Sequence, residues 1–493
     1  MIKSWNWLVS KIDTPLWLEM FFAILVILRI PSFFEPYYYG DEMIYMTLGH
    51  GIRQGIPLYL GLHDNKPPLL YLTAAVSSNL FIFKVLLALF SLISVYLFWK
   101  LIRELFIKNE KLQKVATVLF GIFTTIPLLE GNIANAENFM IVPTLLGLYL
   151  AYKNRDDLRK IFFGGILIAI ASLFKIVAAF DILAIVVFWL IYTKKTDFWQ
   201  FVKKLAILST AFFIPHLISF FWFYLNGSFN QYLTAAFKQN FGYVSSWRPQ
   251  DVAKPFLERN LPLLVRFSIM IFGFIVLWLF KNKLSKQFVF VSGWLLATLF
   301  AVTLSERPYP HYLLQSVTPA AILFGMLFTN KNIEQILAII PLALFAFVPY
   351  YFKFWYYPTT PYYSNFLKFA VQKIDKSEYF DYFSKNVNRN YKIAEFLKTS
   401  SQKNDKIFVW SNDSSAVYSL SRRLPPTKYV ADYHFIDFST KDETLSALNK
   451  NKPKFVIITD NSYPFPELYG FLEGNYYIIT EINDSQIWLL IKR

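Results

Sequence analysis

The chain has 493 residues, 55% of them hydrophobic and 19% aromatic, and only 17% charged. A soluble domain carries about 25% charged residues, so composition excludes an ordinary soluble protein and points to a membrane. The net charge of +16 does not argue for nucleic acid, because the lysines and arginines fall mostly between apolar stretches, where membrane topology puts them.

In chain order, eleven apolar stretches are expected to span a bilayer: 16–33, 80–99, 115–130, 138–152, 161–174, 176–193, 205–225, 261–280, 288–304, 312–328 and 335–352. About 20 apolar residues suffice for a span. No cleavage site of small residues follows the first run, which is therefore expected to stay as a span rather than leave as a signal peptide. With the N-terminus inside, cytoplasmic connections gather Lys100, Arg103, Lys108, Lys111, Lys114, Lys153, Arg155, Arg159, Lys160, Lys194, Lys195, Lys203, Lys204 and their like. The longer outer connections hold fewer than half as many cations, which fits the positive-inside rule. This topology puts everything after residue 352 outside. The expected domains are a membrane domain over 1–353, with a large first outer loop at 34–79, and an outer α/β domain over 354–493.

In that outer domain, 390–399 reads as a helix, 406–410 and 454–459 as buried strands, and 476–480 with 486–491 as a hairpin. There is no cysteine, so a hydrophobic core and not disulfides must hold it.

The first outer loop is too polar to be a passive connection. Asp41 and Glu42 open a helix in which Ile44, Leu48 and Ile52 recur every four residues, a pattern suited to lying flat on the membrane. Asp41 reads either as an N-cap or as a general base that takes a proton from an acceptor hydroxyl, with Glu42 orienting it or helping to hold a metal. Further on, Asp64-Asn65-Lys66-Pro67-Pro68 leads into a helix from Leu69. Lys66 thus lies just outside a helix N-terminus, a combination that suits an anion; its plain reading is an interfacial lysine. Lys175 interrupts two apolar runs, where a cation is costly without an anion, or simply marks their boundary. Arg307 suits a phosphate or an interfacial anchor. His311 is a donor to phosphate or sugar, or a helix-start histidine. His216 reads as a packing histidine. In 226–260, Lys238 and Tyr243 are candidates, with Asn65, to line an acceptor entrance.

Gly40-Asp41-Glu42, Gly55-Ile-Pro-Leu-Tyr59 and Asp64–Tyr71 together resemble the first outer loop of the GT-C glycosyltransferases related to protein O-mannosyltransferases and aminoarabinose transferases. Ala134–Asn138 and Arg307–Tyr312 resemble the family's later outer-loop motifs in the same order. The resemblance implies a polytopic α-helical GT-C fold and a polyprenyl-phosphate sugar donor, with a protein, lipid or glycan acceptor at the outer face of the cell membrane. It implies that Asp41 and Glu137 are the catalytic acidic positions, and that Lys66 and Lys175 face the carrier phosphate. Relatives differ in metal use, so a divalent ion (Mg, Mn or Zn) at Asp41 and Glu137 stays open, and no organic cofactor is expected. The alternatives are a lipid-linked-sugar flippase or transporter, a polyprenyl-diphosphate glycan ligase or polymerase, and a structural scaffold.

Overall fold

The computed structural model describes residues 14–153, 156–240, 255–329, 331–459 and 462–491. Seven helices among them are long and apolar enough to cross a membrane: Leu16–Phe34, Leu80–Leu105, Lys195–Leu225, Phe256–Leu279, Lys286–Thr303, Pro310–Thr329 and Ile333–Tyr351. The other four expected stretches also contain helix. These helices (Glu110–Phe123, Ala136–Lys153, Leu158–Phe174, and a 3-10 and α pair over Ile176–Tyr192) are shorter or less apolar. A helix that packs against protein rather than lipid does not need an unbroken apolar surface. The chain is a polytopic α-helical membrane protein.

Burial separates centre from periphery. Within an apolar 18-residue stretch of each, 78% of the residues are buried in Lys286–Thr303, whereas only 17% are buried in Lys195–Leu225 and in Phe256–Leu279. The outer helices turn Leu217, Phe221, Trp222, Phe272 and Leu279 outward, an apolar surface too extensive for water. Small residues bring the inner helices close. A Cβ on Gly165 would lie 2.6 Å from the Leu208 carbonyl oxygen, and one on Gly147 would lie 2.9 Å from that of Gly164. Leu158–Phe174 is thereby pressed between Ala136–Lys153 and Phe198–Leu225, the small-residue packing typical of membrane helices.

The C-terminal domain, called outer after the expected topology, carries strands β1 (Ile407–Trp410), β2 (Phe455–Thr459), β3 (Tyr476–Ile482) and β4 (Ser485–Leu490) in the order β1-β2-β4-β3. β1 and β2 are parallel, and β4 is antiparallel to both β2 and β3. The two strands and the hairpin agree with the sequence reading, and the expected 390–399 helix runs over Asn386–Ser400. β1 and β2 are buried along their whole length, as nearly continuous apolar runs require.

The first loop is where the structure departs from expectation. Gly40–Arg53 is helical, but Met43 to Leu48 are all buried. The helix is enclosed by protein and not exposed along one whole face; Leu69–Ser77 packs on one side and Ser414–Ser421 of the outer domain on another. Gly49 permits the first approach, since a Cβ there would meet the Ala75 nitrogen at 2.6 Å. One hydrophobic cluster joins Leu48 and Tyr71 of the loop, Phe139 of the bundle and Val417 and Ile457 of the outer domain. The loop is a layer between the two domains.

Candidate functional site: a cavity between the first loop and the bundle

The Gly40–Arg53 helix starts after Tyr39 with no side-chain cap, so the capping alternative for Asp41 falls. Its carboxylate instead accepts from Tyr45 OH at 2.9 Å, one turn along, and meets Lys66 Nζ at 3.5 Å. Asp41 keeps 30% of its side chain exposed, so it remains reachable.

Lys66 is held by its backbone. Its N–H donates to Tyr71 OH at 3.0 Å and its carbonyl accepts from Tyr59 OH at 2.7 Å. The ammonium lies over the Tyr45 ring and 3.8 Å from Asp64. Asp64 is buried and accepts from Tyr71 OH and from the Asn65 N–H. Burial pushes its carboxyl up, but the Lys66 ammonium and the His434 imidazole outweigh that and hold it below the ordinary range. His434, at 3.4 Å, belongs to the outer domain, as does the Lys428 carbonyl that accepts from the His63 N–H at 2.8 Å. The outer domain therefore braces the segment that carries Lys66.

Glu137 opens the Ala136–Lys153 helix and pairs with Lys175, which sits in extended backbone between two helices. The Lys175 ammonium also lies 3.8 Å from the centre of the Tyr312 ring. His311 is buried and bridges two carboxylates, bonding Glu130 through Nδ1 and facing Glu137 at 3.7 Å through Nε2. Tyr39 OH and Asn135 Nδ2 also donate to Glu130.

Lys66, Asn65, Glu137 and Lys175 line one cavity of about 250 Å³, closed by Tyr312, Gln315, Phe237 and Asn240 and by apolar side chains such as Val177 and Val302. Asn240 Nδ2 ties the far wall to the loop by donating to the Asn65 carbonyl at 3.0 Å. Asp41 reaches this cavity through Lys66, and His311 through Glu137. Two cations, each beside a carboxylate, in a mostly apolar pocket suit an anionic ligand that is also partly apolar.

Other candidates fall elsewhere. The Glu42 and Asp41 side chains have different partners. Glu42 is buried against Lys84 Nζ at 2.7 Å and accepts from the Ala134 N–H at 2.6 Å, and the same lysine holds Glu35 at 2.8 Å. That arrangement ties loop to bundle, so the role read for Glu42 gives way to a structural one. Arg307 is half-buried with its N–H on Ser305 Oγ, and it is not a wall of the cavity. Lys238 is exposed beside the lining residue Phe237, and Tyr243 lies outside the described residues. His216 packs as expected, bonding Ser172 Oγ at 2.8 Å. Asp41 and Glu137, the two positions read as possible metal ligands, each face a lysine, and among the described residues no group of three His, Asp or Glu is arranged to hold a metal ion.

Sequence reading missed Glu35, Lys84 and Glu130 as partners. The available signal was a lysine inside the 80–99 apolar run, which in a membrane needs a carboxylate.

Comparison with solved structures bears on the fold. The chain superposes on ArnT from Cupriavidus metallidurans bound to undecaprenyl phosphate with a TM-score of 0.56 and 13% identity, covering 96% of this chain and 97% of that one. The fold is that of ArnT. The apo form of ArnT gives a TM-score of 0.54 at the same identity and coverage. The GT-C resemblance read from the first-loop motifs therefore holds at the level of fold from end to end. Residues 387–489, in the outer domain, match a family model described as "competence-induced protein Ccs4 C-terminal domain". No curated protein matches the chain.

Proposed function

We propose that the protein is an integral membrane glycosyltransferase that moves a sugar from a polyprenyl-phosphate carrier to an acceptor at the extracytoplasmic face. The observation that carries this reading is the pairing of Asp41 with Lys66 at the edge of a cavity that also holds Lys175. The shared fold with ArnT, whose structure holds undecaprenyl phosphate, supports the class of carrier. The cation bias of the connections supports an inside N-terminus and an outer C-terminal domain in the cell membrane.

In this mechanism the carrier phosphate takes the ammonium groups of Lys66 and Lys175. Its arrival competes with Asp41 and Glu137 for those cations and frees Asp41 to accept a proton. The acceptor oxygen attacks the anomeric carbon as the bond from that carbon to the phosphate oxygen breaks. The proton passes to Asp41, and configuration inverts because attack and departure take opposite faces. Cations already placed where the leaving charge develops supply the electrostatic stabilisation. The test is incubation of the purified protein with candidate polyprenyl-phosphate sugars. Release of free carrier coupled to a glycosylated product supports the proposal; translocation of intact donor without product overturns it.

A further inference from the structure

Gln315 lies in the first turn of the Leu314–Thr329 helix, is only 4% exposed, and forms part of the cavity wall. Its amide nitrogen spends both protons inside the protein, one on the Val177 carbonyl at 3.0 Å and one on Asp181 Oδ2 at 2.7 Å. Asp181 is itself fixed, because its other oxygen accepts from Trp294 Nε1 at 2.5 Å. The amide orientation is therefore determined. A flip would set the Gln315 carbonyl against a carbonyl and a carboxylate, and would strand two acceptors. What remains is Oε1, a pure acceptor. Among the described residues no group donates to it, and it is not one of the sealed-off unpartnered atoms of the bundle; Gln315 lines both this cavity and a much smaller one beside Asp181.

We propose that Gln315 reads the sugar of the donor by accepting a hydrogen bond from one of its hydroxyl or amino groups. The proposal rests on the glycosyltransferase reading, in which the phosphate sits at Lys66 and Lys175. The Lys175 ammonium lies over the Tyr312 ring, and Gln315 follows Tyr312 by three residues, roughly 5 Å along a helix. Both residues line the cavity, about one helical turn apart. The immediate surroundings of Gln315 include the apolar Val177, Ala301 and Val302, with Asn65, Asn240 and Ser305 as the cavity's other uncharged polar walls, and a buried acceptor without a donor is unfavourable. Asp181 acts through Gln315 as a positioning residue.

The experiment compares binding of bare undecaprenyl phosphate with that of its mannose, glucose, galactose and arabinose derivatives, using the full chain in nanodiscs. In the wild type at least one sugar is expected to add to the affinity of the bare carrier. Gln315→Met removes that gain, roughly two- to tenfold, and leaves bare-carrier affinity unchanged. Asp181→Asn, which puts an N–H₂ where an acceptor stood, reduces the gain in the same direction. An unchanged gain in Gln315→Met overturns the proposal, as does loss of bare-carrier binding in that variant or the absence of any gain in the wild type. Failure of the wild type to bind the bare carrier overturns the parent reading.

Discussion

Lys66 Nζ stands 3.5 Å from Asp41 Oδ2, across a 25-residue separation closed by two short helices packed at Gly49. The carboxylate keeps Tyr45 as its second donor, so a change of partner at Lys66 leaves Asp41 oriented. Loss of the Lys66 ammonium therefore acts on the donor phosphate first. Lys66→Ala is expected to raise the apparent KM for a polyprenyl-phosphate donor by about tenfold, on the scale of one charge-assisted hydrogen bond. Steady-state kinetics over a donor series checks this, and an unchanged KM would remove Lys66 from the phosphate site.

Lys84 is the one cation that pairs with both Glu35 and Glu42 in the protein interior, among the described residues. Lys84→Met leaves two buried carboxylates without a cation and is expected to cost about 3–5 kcal/mol. Thermal unfolding in detergent reads this as a large drop in Tm. The double variant that also makes Glu42→Gln is expected to recover part of the loss.

The contact between first loop and outer domain carries a pH dependence. Burial, with His434 beside it, drives His63 down to about 3. Its folded value lies below the unfolded value of about 6.5, so the unfolded chain binds the extra proton first. Stability is full above pH 6.5 and falls as pH drops below it, by at most about 1.4 kcal/mol per unit. Asp64, also held low, adds a loss in the same direction once pH falls through the carboxylate range. Melting curves from pH 7.5 to 4.5 check the slope, and His63→Gln is expected to flatten it over pH 6.5 to 5.

The first loop was legible because acidic and basic residues between two apolar runs have no cheap structural explanation. Asp41, Lys66, Glu137 and Lys175 stood out, and the structure gathers them. Glu42 misled because adjacency to Asp41 along the chain is not adjacency in a helix, where neighbours diverge by about 100°. Lys84 and Glu130 were hidden for the opposite reason: their partners lie far off in sequence, at Glu35, Glu42 and His311. Gln315 carried no signal at all, since its role follows from two hydrogen bonds that only the folded bundle creates. In the outer domain, β1 and β2 were visible as short apolar runs. Its helices Thr359–Ala370 and Pro466–Asn475 were not: the first begins inside a Tyr- and Pro-rich stretch that reads as a connection, and the second has only a weak apolar period.

The measurement closest to the central claim is sugar transfer by Asp41→Asn. The substitution preserves size and a hydrogen bond with Tyr45 while removing the basic carboxylate. The account predicts that the variant inserts, purifies and binds undecaprenyl phosphate as the wild type does, and forms no glycosylated product. Turnover near the wild-type rate would contradict it.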